Sequence, residues 1–418
     1  MVRLYFFVLL CASLWLKWLL AVEADVSEKI PPGHTSSILA LQVDRTNAHA
    51  ALIEPVNGVH RLIAWESASL SPEDGVAPPA VLSGIARLLG ARLGRPLWDE
   101  SLDTPLLSSP DPALGLHLGQ VVAAVDPLPP LRVWIGGLTG HESLAAAQSA
   151  LDATICRTVA VYRFGMGGDP ARLAADLTDA RPDLAVVVGG YDRPGATGPV
   201  LELCEEVAQA LAALPAGHRP AVYFAGNRWA ASAVLDRWSR LSGGLSADAV
   251  ENVAPAPGVH RATALAVAVS RLYWRRCQST PAVQSIRRWI TPPSEVRSTS
   301  SSFAQAVRLW RQVHNLPALH GLLCAAPLWI HVCAEEGRDG VRLRFVQPDT
   351  RPANLAGWPP LRLVSGEWPT HLWPRSPGQR GPSHWWDPTG LLPTVANVGQ
   401  IDPLIAYQVL AQDLLREG

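Results

Sequence analysis

Lysine is almost missing from this chain: Lys17 and Lys29 are the only two in 418 residues, so nearly all positive charge is arginine. With abundant Ala, Leu, Pro and Trp, that bias reads as the codon usage of a GC-rich genome. Arginines here are therefore weak grounds for inferring phosphate-binding forks. A basic face is missing too. The formal net charge of −1 gives no electrostatic case for nucleic acid, which calls for a concentrated positive surface. Cysteine is sparse and scattered. Beyond the leading segment it occurs at Cys156, Cys204, Cys277, Cys324 and Cys333, with no C-x-x-C pair. That pattern excludes a disulfide framework and a structural zinc knot, and points the main body to a reducing compartment. No G-x-S-x-G, H-E-x-x-H or Walker A sequence occurs, so nothing announces a nucleophilic or P-loop active site.

What is present is apolar surface. A hydrophobic fraction of 48% over this length allows two or three domains with large cores. The longest apolar run, Leu4 to Val22, is interrupted only by Ser13 and Lys17. Its length predicts one continuous helix, either a membrane span or a signal segment ending near Val22-Glu23-Ala24. Arg3 before the run would place the body outside the cytoplasm. The alternative is a start of translation placed too early, with a cytoplasmic protein beginning near Val26.

From Ile38 to Ser67 the pattern predicts three strands, joined by the polar turn Asp44-Arg45-Thr46-Asn47 and by Asn57-Gly58, a hairpin signal. Ala80–Leu93 has helical periodicity, and Leu114–Val125 is β-rich. From Leu131 strands and helices alternate. Strand Leu131–Ile135 ends in Gly136-Gly137, before helix Glu142–Ala153. Strand Arg157–Phe164 ends in Gly165-Met166-Gly167-Gly168, before a helix opened by Asp169-Pro170. Strand Leu184–Val188 ends in Gly189-Gly190-Tyr191-Asp192, before helix Pro199–Leu214. Strand Ala221–Phe224 ends in Ala225-Gly226-Asn227, before helix Trp229–Leu241. Such alternation means right-handed βαβ units on a parallel sheet, with ligands beyond the carboxyl ends of the strands. Helix Arg261–Arg276 follows, then a linker Thr291–Ser302, helix Phe303–Asn315, and strands Leu323–Cys333 and Val341–Val346. A Pro/Trp-rich segment holding Trp358, Trp368, Trp373, Trp385 and Trp386 precedes an apolar helical tail, Leu391–Leu415.

Each candidate site has a plainer competitor. Gly165-Met166-Gly167-Gly168 is an incomplete dinucleotide fingerprint, because Pro170 stands where the third glycine belongs; a capped turn explains it better. Gly189, Gly190 and Asp192 could contact a nucleotide, or form a tight turn with Asp192 solvated or capping a helix. Gly226 and Asn227 read likewise, with Asn227 as an N-cap. Trp329, His331 and Cys333 alternate on one strand and would need Cys324 to make a metal site; a packed strand face is the better account. Asp387-Pro388 and Asp402-Pro403 fit helix starts rather than catalytic acids.

Three stretches together resemble the glutamate mutase MutL-type accessory family: Ala51–Ala64, Asp183–Trp238 and Leu391–Leu415. The opening three strands are also similar to those of the actin/hexokinase/Hsp70-type nucleotide-binding fold. The resemblance implies an α/β, actin-like (ribonuclease H-like) two-half ATPase fold, here with a reduced second half; the apolar run adds one hydrophobic N-terminal helix before it. The implied divisions are 1–25 transmembrane or signal segment, 26–36 linker, 37–290 first half with an α/β insertion, 291–302 linker and 303–418 second half. It also implies nucleotide contacts at Asp44, Thr46, Asn47, Gly189, Gly190, Asp192, Gly226 and Asn227. Two departures argue against a working Mg–ATP site. The first turn has no glycine, and Cys324-Ala325-Ala326-Pro327, at the matching second turn, has neither glycine nor carboxylate. Clustered phosphate charge needs donor dipoles and a metal. The expectation is a non-catalytic, degenerate MutL-like protein acting through protein contacts, with residues 4–22 as a membrane anchor. No catalytic residue, metal ligand or cofactor is expected on that reading, and ATP with Mg²⁺ belongs to the alternatives. The alternatives are an ATP- and Mg-dependent reactivating factor for a cobalamin-dependent mutase, and a nucleotide- or dinucleotide-using enzyme built on the 165–192 loops.

Overall fold

The computed structural model describes residues 6–10, 37–43, 47–56, 59–70, 77–107, 118–165, 170–241, 246–291, 294–313, 315–325, 328–335 and 341–346. It is a mixed α/β protein of two compact units. The first comprises Met1–Leu128 with Cys277–Gly418, and the second Pro129–Arg276.

The first unit begins with β1 (Phe6–Leu10), β2 (Ser37–Val43), β3 (Asn47–Val56) and β4 (Val59–Ser69). Strands β2, β3 and β4 form an antiparallel meander, as the alternating apolar runs predict. Helix α1 (Pro78–Leu93) starts on proline, which suits a first turn that needs no N–H. It stops at Gly94, whose φ of 68° is left-handed, so that Gly94 and Arg95 donate to the carbonyls of Ala91 and Gly90. Leu82, Ile85, Ala86 and Leu89 form its buried stripe. After the short ribbon β5 (Trp98–Asp99) and β6 (Thr104–Pro105), β7 (Leu118–Val125) joins β2 in parallel, giving the order β4-β3-β2-β7.

The second unit is a doubly wound domain. Its strands are β8 (Leu131–Gly137), β9 (Cys156–Arg163), β10 (Leu184–Val188), β11 (Ala221–Phe224) and β12 (Ala247–Ala249), all parallel, in the order β12-β11-β10-β8-β9. Counted within the unit this is 2-1-3-4-5, the order of flavodoxin-type sheets. Between the strands run α2 (Ser143–Leu151), α3 (Pro170–Ala180), α4 (Gly198–Ala213) and α5 (Ala231–Leu241); α6 (Thr263–Gln278) follows β12. Residues of α3, α4 and α5 pack with Val187, Val222 and Phe224 on one face. Tyr223 points the other way, and its hydroxyl reaches the Ala268 carbonyl of α6. All five residues of β10 are buried, as a central parallel strand covered on both faces requires.

The chain then returns to the first unit through α7 (Pro281–Arg287), which the sequence pattern did not reveal, and α8 (Thr299–Val313). It ends in β13 (Ala318–Ala325), β14 (Leu328–Glu335) and β15 (Val341–Val346). These three strands are antiparallel neighbours, with β1 added in parallel at the β13 edge. Phe303, Val307 and Trp310 of α8 share one core with Ala40, Ala51 and Ile53 of the first sheet and Leu319, Ile330 and Val332 of the second.

Several expectations change. Phe6–Leu10 is a strand, so no continuous helix spans Leu4–Val22. Apolar residues on every side suit a strand covered on both faces as well as a helix, and pairing with β13 runs over five residue pairs. Among the described residues no helix is long and apolar enough to cross a membrane. Helix α8 starts at Thr299 rather than Phe303, because a distant carboxylate caps it. Asp126 accepts from the Ser298 hydroxyl at 2.7 Å, from the Ser300 N–H at 2.6 Å and from the Ser300 hydroxyl. The stretch Leu323–Cys333 is not one strand but parts of β13 and β14, which pair antiparallel up to Ala325 and Leu328. The compact units also cut the chain at other points than the expected 291–302 linker. The Trp-rich segment, Asp387, Asp402 and the 391–415 tail lie outside the described residues.

Candidate functional site

Strand order fixes where a doubly wound sheet receives ligands: beyond the carboxyl ends, where successive helices leave to opposite faces. In the second unit that point lies between β8 and β10. Its walls are the loops Leu138–Glu142 and Gly189–Thr197. Gly189 and Gly190 have φ of 140° and 74°, and a Cβ on Gly189 would come within 2.8 Å of Leu138 Cγ. Only glycine lets the two loops meet this closely. The Tyr191 hydroxyl then donates to the Glu142 carboxylate, bridging the loops; this bond raises the phenol's pKa above its usual range.

The polar residues of these loops are held by hydrogen bonds within the loops. Asp192 Oδ1 accepts from the Arg228 N–H and from Asn252 Nδ2, both at 2.9 Å. The second N–H of that carboxamide donates to the Gly190 carbonyl at 2.9 Å, and Asn252 Oδ1 accepts from the Ala254 N–H. Asn227 donates from Nδ2 to the Arg193 carbonyl at 2.9 Å and from its backbone N–H to Gly189. Its Oδ1 accepts from the Trp229 N–H, an Asx turn ahead of α5 rather than the expected helix cap, since α5 starts at Ala231. Gly226 is required because a Cβ there would fall 2.5 Å from the Gly189 carbonyl oxygen. The structure thus gathers Gly189, Gly190, Asp192, Gly226 and Asn227, and adds Asn252. Sequence reasoning missed Asn252, which carries no signal beyond its place after a strand. Asp192 Oδ1 thus ties the Gly189–Thr197 loop to the segments around Arg228 and Asn252.

Asn47, half-buried at the start of β3, belongs to the first unit; Asp44 and Thr46 lie outside the described residues, as do Met166, Gly167, Gly168 and Asp169. The root of the Asp44–Thr46 turn is nonetheless defined. Gln42 and His49 face each other in register across β2 and β3, and both are buried. Neither Gln42 carboxamide atom nor either His49 ring nitrogen has a hydrogen-bond partner. Burial pushes the His49 pKa down to about 4, so the ring is neutral near pH 7. Two polar residues inside a buried strand pair are the informative exception to an apolar core.

No metal centre forms among the described residues, where no group of three or more His, Cys, Asp or Glu side chains could hold an ion. His331 and Cys333 are buried on β14, and Arg342 Nη2 lies 3.4 Å from Cys333 Sγ. Cys156 and Cys204 are buried thiols, and desolvation pushes Cys156 up to about 12 and Cys204 higher, which makes both inert as nucleophiles.

Two outcomes follow from this geometry. Gly189→Ala should destabilise the second unit by about 1–3 kcal/mol, because it adds a clash to a strained φ. Gly195→Ala, in the same loop with nothing within 4 Å, should be nearly neutral in the same urea titration. For His49, the folded pKa of about 4 lies below the unfolded value of 6.5. Between those values the unfolded chain binds more protons, so stability falls as pH drops from 6.5 toward 4. The loss is on the order of 3 kcal/mol. Denaturation midpoints against pH should show that slope in the native chain, and a shallower one in His49→Leu.

No family model matches the chain, and no curated protein matches it. Solved structures that overlap it include RuvC of T. thermophilus in complex with a Holliday junction substrate. That chain is 12% identical, with 58% of this chain and 96% of that one covered at a TM-score of 0.14. Another is the ethanolamine utilization protein EutJ from Carboxydothermus hydrogenoformans, 15% identical, with 62% and 99% covered at a TM-score of 0.13. Scores this low carry no argument, and the mixed α/β class rests on the strands and helices themselves.

Proposed function

We propose that this chain is a non-catalytic, degenerate MutL-like protein of the actin/Hsp70-type fold, acting through protein–protein contacts. The observation that carries the reading is the closed network at the carboxyl edge of the second unit. Asp192 and Asn252 are bonded to each other, and both they and Asn227 are bonded to loop backbone, so a nucleotide contacting these side chains would have to break those bonds. The first unit supports the same reading. Its order β4-β3-β2-β7, two antiparallel pairs and one parallel, suits an actin-type half. Yet the root of its polar turn offers a neutral amide and a neutral imidazole, neither able to offset phosphate charge or hold Mg²⁺.

A contact surface is available on the second unit. Trp229 is 53% exposed, and the Arg228 guanidinium lies 5.3 Å from its ring centroid. Exposed Trp and Arg together are the residue types that dominate binding energy at protein interfaces. A membrane tether through residues 4–22 is a separate proposal, and it requires Phe6–Leu10 to leave the β13 edge.

Titration of the full chain with Mg·ATP should give no saturable heat and no phosphate release. Robust Mg-dependent hydrolysis that is lost in Asp44→Ala would instead establish the reactivating ATPase. Saturable binding of a dinucleotide, abolished by Asp192→Ala, would favour the enzyme built on the 165–192 loops.

A further inference from the structure

The inner end of the first unit holds polar atoms that the reading above does not use. Gln42 and His49 are directly opposed on β2 and β3, so their side chains share one face of the sheet. That is the face of Ala40 and Ala51, which pack with Phe303, Ala304 and Val307 of α8. Gln42 is 0% exposed and His49 9%, and all four of their side-chain nitrogen and oxygen atoms are without partners. Their neighbours at this end are engaged. Asp126 receives three hydrogen bonds from Ser298 and Ser300, the Thr299 hydroxyl donates to the Val43 carbonyl, and the Ser301 N–H donates to Ser298 Oγ.

We propose that Gln42 and His49 form an internal binding site for a small uncharged molecule that donates and accepts hydrogen bonds at once. The chemistry follows from the inventory. A neutral imidazole offers one N–H and one lone pair, and a carboxamide offers an NH₂ and a carbonyl oxygen. The set is balanced and carries no charge. A direct Gln42–His49 bond would satisfy one donor and one acceptor and leave the rest unmet. An anion would meet the Asp126 carboxylate and find the first N–H groups of α8 taken. A cation would find one amide oxygen, one ring nitrogen and a carboxylate already holding three donors. A neutral bifunctional guest alone meets every orphan, and the chemistry is shared by water and a primary carboxamide. A buried water needs two to four polar partners, which the pair supplies.

The site is independent of nucleotide binding, so the test is made without nucleotide. The full-length chain is studied by water relaxation dispersion, which counts long-lived internal waters, and by ¹⁵N NMR of the His49 ring, with acetamide as probe and acetate as control. The expected result is a slow water with a nuclear Overhauser contact to the His49 ring, and one fewer slow water in Gln42→Met. Alternatively, acetamide shifts the His49 ring nitrogens saturably while acetate does not, which assigns the site to a carboxamide. The contact in the native chain needs no variant, so a Gln42→Met chain that fails to fold leaves the test intact. Absence of both the water contact and the acetamide shift would overturn the proposal. So would acetate binding in preference to acetamide.

Discussion

One buried carboxylate holds the first unit together. Asp126 follows β7 directly, and it caps a helix whose Ser300 lies 174 residues further along the chain. Beside it, Val125 and Arg297 exchange backbone hydrogen bonds with the opposite segment, Val125 N–H to the Arg297 carbonyl at 2.7 Å and Arg297 N–H to Ala123 at 3.0 Å. The cap is charge-assisted and sits at the positive end of the helix dipole, where a carboxylate is most favourable. With its N-terminus held, α8 can bury Phe303, Val307 and Trp310 between two sheets that have no strand in common. The seam also explains how a whole doubly wound unit can be inserted at residue 129. Closing a longer loop between ends that are already tied costs little more than closing a short one.

The second unit applies the same rule, that buried polar groups must find partners, to its carboxyl edge. Glycines at 189, 190 and 226 bring three loops within contact distance, and the carbonyls and carboxylate thereby buried are met by Asn227 and Asn252. Such a network is rigid when complete and expensive to open, since each unmet buried group costs roughly 1–3 kcal/mol. Rigid loops with an exposed Trp229 suit a surface read by a partner better than a pocket that opens for a cofactor. Among the described residues of the first unit, Gln42 and His49 depart from the rule with all four of their side-chain polar atoms, which is why the proposed guest is placed there.

Much of this architecture is legible in the residues because it is local. Leu184–Val188 and Ala221–Phe224 are strands with the predicted ends, and the three strands of the opening, Ser37–Val43, Asn47–Val56 and Val59–Ser69, follow its apolar alternation, while Asn57-Gly58 lies outside the described residues. The gathering of Gly189, Asp192 and Asn227 follows from parallel strand order alone. What is not legible is what depends on distant partners. The first turn of α8 looks like a Ser-rich linker until Asp126 is placed beside it. Asn252 has no motif, since its role is to meet a carbonyl and a carboxylate some 60 residues away. Phe6–Leu10 reads as helix because the acceptor edge of β13 is invisible from the N-terminus. The reversal between β13 and β14 is hidden by apolar residues on both sides of it.

The central claim is that the nucleotide-like features of this chain are structural, and amide hydrogen exchange of the full-length chain with and without Mg·ATP tests it most directly. The account predicts unchanged protection over 47–56, 189–197, 226–230 and 250–254, where the strand amides and those of Asp192, Ala196, Asn227, Arg228, Trp229, Val253 and Ala254 already have partners. Slower exchange confined to these segments when Mg·ATP is added would contradict it.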